Sequence, residues 1–428
     1  EIEERDWSSD VCSSDLIYSL IYFSKHMEKF KLNNGATIVI AECSSKELSV
    51  SVTVNVGHVN EPKLGIAALY ENVLMKQVSR VQTVYGGTVT SFFTGCEKEE
   101  LEMTMSKMAN LIKAPHLGSD LIQAAAFDIV EHTRDLAPLV KRQMKLLYKH
   151  TAFGKKRVLW DAESYINAIE SYGAPDLKEF ADKYYTGKNL VVVVAGGHVG
   201  KDEVKTLAEK YFGDIPAGER QRVQKSIYTG GYNLIPSDGS YRQILLGWDV
   251  TEIKGSSSAN VMMSMLSKRL ERSFNEVYDP VRNVKIPRPT DAQIEVKIAG
   301  YYGRRTLRIS VTSSQLSTNE MLDIVCQNVS RLQNTEASER RMETSKQWAM
   351  SEKLWLFSQP QPAAVETAWQ LFGKGEMYDI NDRINYIWNV SSHEVKIISR
   401  EIFAAPLTMV LYTNEPHYSY KEVQEKLK

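Results

Sequence analysis

The stretch Gly65-Ile66-Ala67-Ala68-Leu69-Tyr70-Glu71-Asn72 decides how this chain is interpreted. Its apolar residues recur at helical spacing, which predicts an amphipathic helix. One face carries Ile66, Leu69, Tyr70 and Val73, and the opposite face carries Ala68, Glu71, Asn72 and Met75. We expect the first face to pack on a core and the second to point away from it.

The second face has the spacing of a zinc site whose ligands are missing. In the pattern H-x-x-E-H, two His at i and i+4 bind Zn²⁺ and the Glu activates water. Here Ala68 and Asn72 occupy the ligand positions, and Glu71 alone is retained. Ala68 offers no donor atom and Asn72 offers a neutral amide oxygen, whereas a catalytic zinc needs three protein ligands. The sequence therefore predicts no metal, no cofactor and no catalytic residue.

Several other short stretches have a recognisable order and spacing. In chain order they are Leu32-Asn33-Asn34-Gly35, Val54-Asn55-Val56-Gly57 with Glu61, Tyr85-Gly86-Gly87-Thr88-Val89, Val191 to Gly197, and Tyr211 to Gly218. Together, over nearly the whole chain, they resemble the pitrilysin/insulinase-type metallopeptidases, in the short-subunit branch that includes mitochondrial processing peptidase and the complex III core proteins.

The resemblance implies a third zinc ligand, a Glu on a later helix. Alignment through Thr151-Ala152-Phe153-Gly154 places this position near Phe127, with Glu131 and His132 just beyond it. The third ligand position is therefore also degenerate, unless Glu131 takes its place.

The resemblance also implies an Arg and a Tyr that hold the substrate backbone. Arg269-Leu270 begins the matching pattern, but Asn275 stands where a second Arg is expected. Tyr278, Tyr301 and Tyr302 are alternative candidates for the substrate contact.

Charge and cysteine content exclude some classes of function. The chain has 52 basic and 53 acidic residues, so no global field attracts nucleic acid or a membrane surface. Cys43, Cys96 and Cys326 have spacings that suggest neither a disulfide framework nor a metal knuckle. A reducing compartment fits best: the cytoplasm for the bacterial source we expect, or the mitochondrial matrix for a eukaryotic one.

Four segments are predicted along the chain. Residues 1–26 form a leader that we interpret as non-native, since its first part resembles a translated sequencing adapter and Met27 is a plausible start. Residues 27–216 and 231–428 repeat a similar order of strands and helices, joined by a polar linker at 217–230. The prediction is an α+β fold of two homologous sheet-plus-helix domains, which in the family form half of a clamshell chamber.

The sequence also predicts three local elements. We expect a strand pair near 88–105, a helix from Ser256 to about Val277, and a surface loop through the proline-rich stretch 279–290.

Structural and functional interpretations are both open at three places in the sequence. Glu71 is expected to line a polar chamber, since a general base needs a polarised water. His58 and Glu61 could join Glu71 in a displaced metal site, although their spacing fits no standard ligand pattern. The glycines around His198 lack a complete phosphate-binding motif and predict a tight turn.

The resulting hypothesis is a non-catalytic member of the family. Such a subunit would pair with a zinc-bearing homologue or with itself, contribute chamber walls and bind peptide. Two alternatives stay open: an active zinc metalloendopeptidase with a rearranged metal site, and a structural core-type subunit of a larger complex.

Overall fold

The computed structural model describes residues 27–428, apart from 44, 155–160, 198, 223–225, 280–283, 289, 302 and 378. The chain forms two compact units, each built from three separate segments. Unit 1 contains residues 27–126, 171–222 and 352–385, and unit 2 contains residues 127–170, 226–351 and 386–428. The main boundary after Arg222 falls inside the linker predicted at 217–230. The predicted leader lies outside the described residues.

The regular elements alternate between short groups of strands and helices. The strands are β1 (Met27–Lys31), β2 (Thr37–Glu42), β3 (Leu48–Val54), β4 (Gln82–Tyr85), β5 (Thr90–Cys96), β6 (Leu190–Gly196), β7 (Gly231–Ile235), β8 (Arg242–Asp249), β9 (Glu276–Asp279), β10 (Val284–Pro287), β11 (Gln293–Tyr301), β12 (Arg304–Ser313) and β13 (Thr408–Tyr412). The helices are α1 (Ile66–Met75), α2 (Leu101–Lys113), α3 (Ser119–Leu136), α4 (Val140–Phe153), α5 (Ala162–Ser171), α6 (Ala174–Tyr184), α7 (Lys201–Phe212), α8 (Ser256–Asn275), α9 (Thr318–Asn334), α10 (Glu339–Ser358), α11 (Pro360–Lys374), α12 (Ile380–Trp388), α13 (Ser392–Ala404) and α14 (Tyr420–Lys426).

Unit 1 is organised around a mixed sheet with the strand order β1-β2-β6-β3-β5-β4. The central strand β3 alternates Val with Ser or Thr, and both of its faces are buried. The Val side chains belong to a conventional apolar face. Ser51 and Thr53 belong to the opposite face, where the Thr53 and Ser91 hydroxyls lie 2.9 Å apart.

Helix α11 covers this second face, although it comes from the other end of the sequence. It packs on β3 and β6, and the indole Nε1 of Trp369 donates a hydrogen bond of 3.0 Å to Ser91. Small side chains on α11, among them Ala364 and Ala368, join the core formed with Val39 and Val193. Small residues on both surfaces allow the helix to approach the strands closely.

Unit 2 is organised around a second mixed sheet, with the strand order β11-β12-β8-β13-β7. One face is apolar and packs against helices α8, α9 and α13. The other face carries helix α4, which comes from the first half of the sequence and contacts β13, β7 and β8. Each unit therefore contains helical segments that the contiguous domain boundaries 27–216 and 231–428 would assign to the other.

The predicted α+β fold class is confirmed, and two local predictions are wrong. Strand β5 pairs with β3 and β4 and has no partner at 101–105, because these residues begin helix α2, whose buried Leu101 and Met105 have helical spacing. The helix predicted from Ser256 to about Val277 is confirmed as α8, which ends at Asn275. The proline-rich stretch contains the paired strands β9 and β10, where Pro287 at a strand end is tolerated.

Among the described helices, none combines the length and the hydropathy needed to cross a bilayer.

Candidate functional site

Helix α1 begins at a glycine and a carboxylate that fix its entry. Gly65 has φ 73°, a left-handed conformation that other residues rarely adopt. The Glu61 carboxylate accepts hydrogen bonds from the backbone N–H groups of Gly65 (2.9 Å) and Ala67 (3.0 Å). Glu61 thus satisfies donors that a helix N-terminus leaves unpaired. Burial raises the pKa of Glu61 to about 7, although these two hydrogen bonds oppose the shift.

Glu71, the retained motif residue, lies in a buried environment. Its exposed fraction is 6%. Burial raises its pKa to about 7, and the Thr83 hydroxyl partly offsets this shift. The fully buried Tyr185 lies close enough for the Glu71 carboxylate to help raise the pKa of its phenol. At neutral pH, Glu71 is therefore a carboxyl group balanced between its acid and its anion.

The two degenerate ligand positions do not fit a zinc ion. Ala68 is 8% exposed and presents a methyl group. The Asn72 amide nitrogen donates hydrogen bonds of 3.1 Å to the carbonyl oxygen of Ala68 and of 3.1 Å to Oε2 of Glu71. Zinc sites use imidazole, thiolate or carboxylate donors, and neither residue supplies one. The side chain at position 72 instead holds the Glu71 carboxylate.

The expected orientation of this helix face is wrong. Tyr70 on the first face is buried and meets the ring of Tyr185 at 4.7 Å between centroids. Ala68 and Glu71 on the second face are buried as well. Asn72 and Met75 on that face are half-buried, so the second face is partly covered rather than directed into solvent.

The third degenerate position lies in the other unit. Phe127 on α3 is 64% exposed and belongs to unit 2, whereas Ala68 and Glu71 belong to unit 1. Glu131, the alternative ligand, forms an ion pair of 2.8 Å with Arg134. Across the described residues, no group of three or more His, Cys, Asp and Glu side chains could hold a metal ion.

The remaining candidates are only partly described. Tyr278 is in β9 and Tyr301 is at the end of β11, but their side chains lie outside the described part of the structure. Tyr302 and His198 lie outside it entirely. The substrate-contact prediction therefore stays a prediction.

The displaced site of His58, Glu61 and Glu71 has no support from the geometry. Both carboxylate oxygens of Glu61 already accept backbone hydrogen bonds at the start of α1. Binding a metal there would remove this cap.

The family-like motifs have structural roles that sequence reasoning did not assign. Asn34 donates to the carbonyls of Phe212 and Ile215 at 2.8 and 2.9 Å, which anchors the segment after α7. A Cβ on Gly57 would lie 2.4 Å from the carbonyl oxygen of Gly86, so this position accepts only glycine without movement of the backbone. The motif residues thus fix loops around the sheet of unit 1.

Unit 1 also has a pocket of about 450 Å³, measured with the solvent space at its mouth. Its lining does not include Ala68, Glu71 or Asn72. The lining residues are Lys29, Lys31, Thr37, Lys188, Leu190, Val191, Arg220, Leu371, Phe372 and Gly375.

Comparison with known proteins shows which proteins this chain is similar to. Residues 172–347 match the Peptidase M16 inactive domain. The chain is 24% identical over 247 residues to an uncharacterized zinc protease of Rickettsia felis, covering 52% of this chain and 58% of the relative. It is 22% identical over 241 residues to the mitochondrial cytochrome b-c1 complex subunit 2 of Schizosaccharomyces pombe, covering 52% of this chain and 54% of the relative. The aligned part spans about half the length of the curated relatives.

Solved structures share the fold. A protease from Helicobacter pylori superposes with a TM-score of 0.73 at 15% identity, covering 91% of this chain and 99% of that one. A peptidase M16 inactive domain from Pseudomonas fluorescens gives a TM-score of 0.77 at 11% identity, covering 92% and 99%. The resemblance predicted from the motifs is confirmed: the chain is similar to pitrilysin/insulinase-type (M16) metallopeptidases over about half of its length, and it shares their fold.

Restoring the zinc ligands tests the degenerate positions. We expect Ala68→His/Asn72→His to regain zinc binding only partly. The two new His side chains supply two of the three protein ligands that a catalytic zinc needs, and Glu71 occupies the position that activates water rather than a ligand position. Adding Phe127→Glu tests the sequence alignment: a further gain in zinc affinity would identify position 127 as the third ligand position. Zinc affinity is measured by competition with a chelator.

The control adds Asp128→Glu to the double variant, which introduces the same side chain one position away. If the double variant binds zinc as tightly as the triple variant, Phe127 is not the third position and Glu131 becomes the better candidate.

Proposed function

We propose that this chain is a non-catalytic subunit of an M16-type assembly. It pairs with a zinc-bearing homologue or with itself, forms part of a chamber wall and holds peptide without cleaving it. The observation that carries the proposal is the state of the motif: Ala68 offers no ligand, and Asn72 is hydrogen-bonded to the buried Glu71. The match of residues 172–347 to an inactive domain supports it.

Exposed aromatic side chains support association with a partner. Trp348, Trp355 and Trp388 are all exposed in the structure. Large aromatic residues at a surface are enriched at protein interfaces. We propose a cytoplasmic location for a bacterial source and the mitochondrial matrix for a eukaryotic one.

The test uses the chain purified without a histidine tag. We expect no stoichiometric zinc by elemental analysis, self-association by light scattering, and a one-to-one complex with a zinc-bearing homologue whose peptidase activity rises. Glu71→Gln in this chain should leave that rise unchanged, whereas removing the Glu of the partner's intact H-x-x-E-H should abolish activity.

Two outcomes would overturn the proposal. About one tightly bound zinc per chain, together with cleavage by the chain alone, would establish the active-peptidase alternative. A monomer with no effect on the homologue would remove the subunit role. Co-purification with respiratory components would favour a structural core-type subunit, the alternative raised by the similarity to cytochrome b-c1 complex subunit 2.

A further inference from the structure

The pocket of unit 1 lies at one edge of its sheet. Strand β1 is the edge strand, and strand register places Lys31 opposite Thr37 and Thr37 opposite Val191. Residues directly opposite each other project from the same face, and Lys29, two residues before Lys31, projects from it as well. Val191 belongs to the core under α11. The two lysines of β1 therefore extend from the face of the sheet that carries α11.

Helix α11 ends beside these lysines and forms one wall of the pocket. Leu371 and Phe372 in its last turn and Gly375 just after it line the space. Gly375 has φ 78°, the left-handed conformation that commonly ends a helix. Its N–H donates a hydrogen bond of 3.0 Å to the carbonyl oxygen of Leu371. Because the helix stops here, a pocket stays open over the adjoining ends of β1, β2 and β6.

Local contacts hold two further cations at the same place. A Cβ on Gly35 would lie 2.6 Å from Cγ of Lys188, so the stem of this lysine lies directly over the glycine. The Arg220 guanidinium donates a hydrogen bond of 3.3 Å to the carbonyl oxygen of Leu371 and lies 5.8 Å from the centre of the Phe372 ring. A guanidinium has five N–H donors, so Arg220 retains donors for a ligand.

The pocket has an excess of positive charge. Among the described residues that line it, four are cations and none is a carboxylate. The cations are Lys29, Lys31, Lys188 and Arg220. None of the four forms an ion pair with another described residue, and Glu28 on the same strand projects from the opposite face and pairs with Lys201.

The end of α11 compensates only part of this charge. The C-terminus of a helix carries a partial charge of about −0.5, which is small against four cations. A sphere with the pocket's volume of about 450 Å³ is about 10 Å across, similar to the Debye length in physiological salt. The cations around the pocket therefore repel one another, and a bound anion would relieve this repulsion.

We propose that the pocket binds a small phosphate monoester. At neutral pH such a ligand carries a charge of about −2 and three acceptor oxygens, which suit the Arg220 guanidinium and the lysine ammonium groups. Leu190, Leu371 and Phe372 supply an apolar surface for its organic group. The site shares no lining residue with the degenerate zinc motif, and it does not depend on the subunit role proposed above.

A small ligand fits better than a nucleic acid. The net charge of the chain is −1, so no long-range field steers a highly charged polymer towards it. A pocket of about 450 Å³ has room for few phosphate groups, whereas stable nucleic-acid binding uses many phosphate contacts.

Isothermal titration calorimetry with phenyl phosphate at about pH 7.5, where the phosphate is a dianion, tests the proposal. Inorganic phosphate lacks the organic group, and benzoate has the same ring with one negative charge. We expect phenyl phosphate to bind about tenfold more tightly than inorganic phosphate, because its ring is partly buried against Leu371 and Phe372. Benzoate should bind about tenfold more weakly than phenyl phosphate, because it compensates less charge.

Lys31→Gln/Lys188→Gln should weaken the binding of phenyl phosphate about tenfold, because it removes two of the charges around the pocket. The matched control is Lys98→Gln/Lys205→Gln, which removes two exposed lysines of unit 1 outside the pocket and should bind like wild type. Thermal unfolding checks that both double variants are folded.

The proposal is overturned if phenyl phosphate gives no heat of binding. Equal affinities for phenyl phosphate and inorganic phosphate overturn it as well, since they would indicate an adventitious ion only. The same holds if Lys31→Gln/Lys188→Gln binds phenyl phosphate like its control, or if a phosphotyrosine peptide binds more tightly than phenyl phosphate. All of these outcomes leave the subunit role untouched, because that role is measured by the activity of a zinc-bearing homologue.

Discussion

Glu71→Gln is expected to stabilise the protein by about 3 kcal/mol at pH 8.5 and to leave its stability nearly unchanged at pH 4. Burial raises the pKa of Glu71 from 4.5 to about 7 in the folded state. The unfolded chain therefore releases this proton at lower pH than the folded chain, and wild-type stability falls as pH rises from about 4.5 to 7. A shift of about 2.5 pKa units corresponds to about 3 kcal/mol.

Urea unfolding between pH 4 and 8.5 measures this difference. Burial also raises the pKa of Glu61. Part of the fall in stability with rising pH should therefore persist in the Glu71→Gln variant. The control Glu99→Gln removes an exposed carboxylate and should follow the wild-type curve. Superimposable curves for wild type and Glu71→Gln would show that Glu71 ionises freely.

Ala368→Asp is expected to destabilise unit 1 by about 4 kcal/mol, because it buries an unpaired carboxylate. Ala368 has an exposed fraction of 0% and packs in the core with Val39 and Val193. The loss should appear in strands β2, β3 and β6, which lie far from position 368 in sequence. Hydrogen exchange followed by mass spectrometry locates it.

The matched control is Ala124→Asp, which places the same charge at an exposed position of a helix. It should change stability by less than about 0.5 kcal/mol. If Ala368→Asp left β2, β3 and β6 protected and loosened only unit 2, the assignment of α11 to unit 1 would be wrong.

The strands were predictable because their pattern is local. The alternation in β3 and the valine run in β6 identify buried strands without reference to other elements. The same alternation was less informative about burial. Ser51 and Thr53 in β3 look like a solvent-facing row, yet both are fully buried because α11 covers them.

The exchange of helices was not predictable from the sequence. Helical periodicity shows that a helix has an apolar side, but it does not show which sheet will receive that side. The burial of Glu71 was equally unpredictable, because residues that are distant in the chain, such as Tyr185, lie close to it. The degenerate zinc motif was inferred from the spacing of three residues alone, and it stays a prediction.

The placement of α11 has a consequence for synthesis on the ribosome. All six strands of the unit 1 sheet have been made by Arg222, but helix α11, which covers the second face of the sheet, is complete only at Lys374, roughly 150 residues later. At typical translation rates this interval is about 8 to 30 s. During that time the nascent sheet exposes one uncovered face, so we expect this part of the chain to depend most on protection by a chaperone.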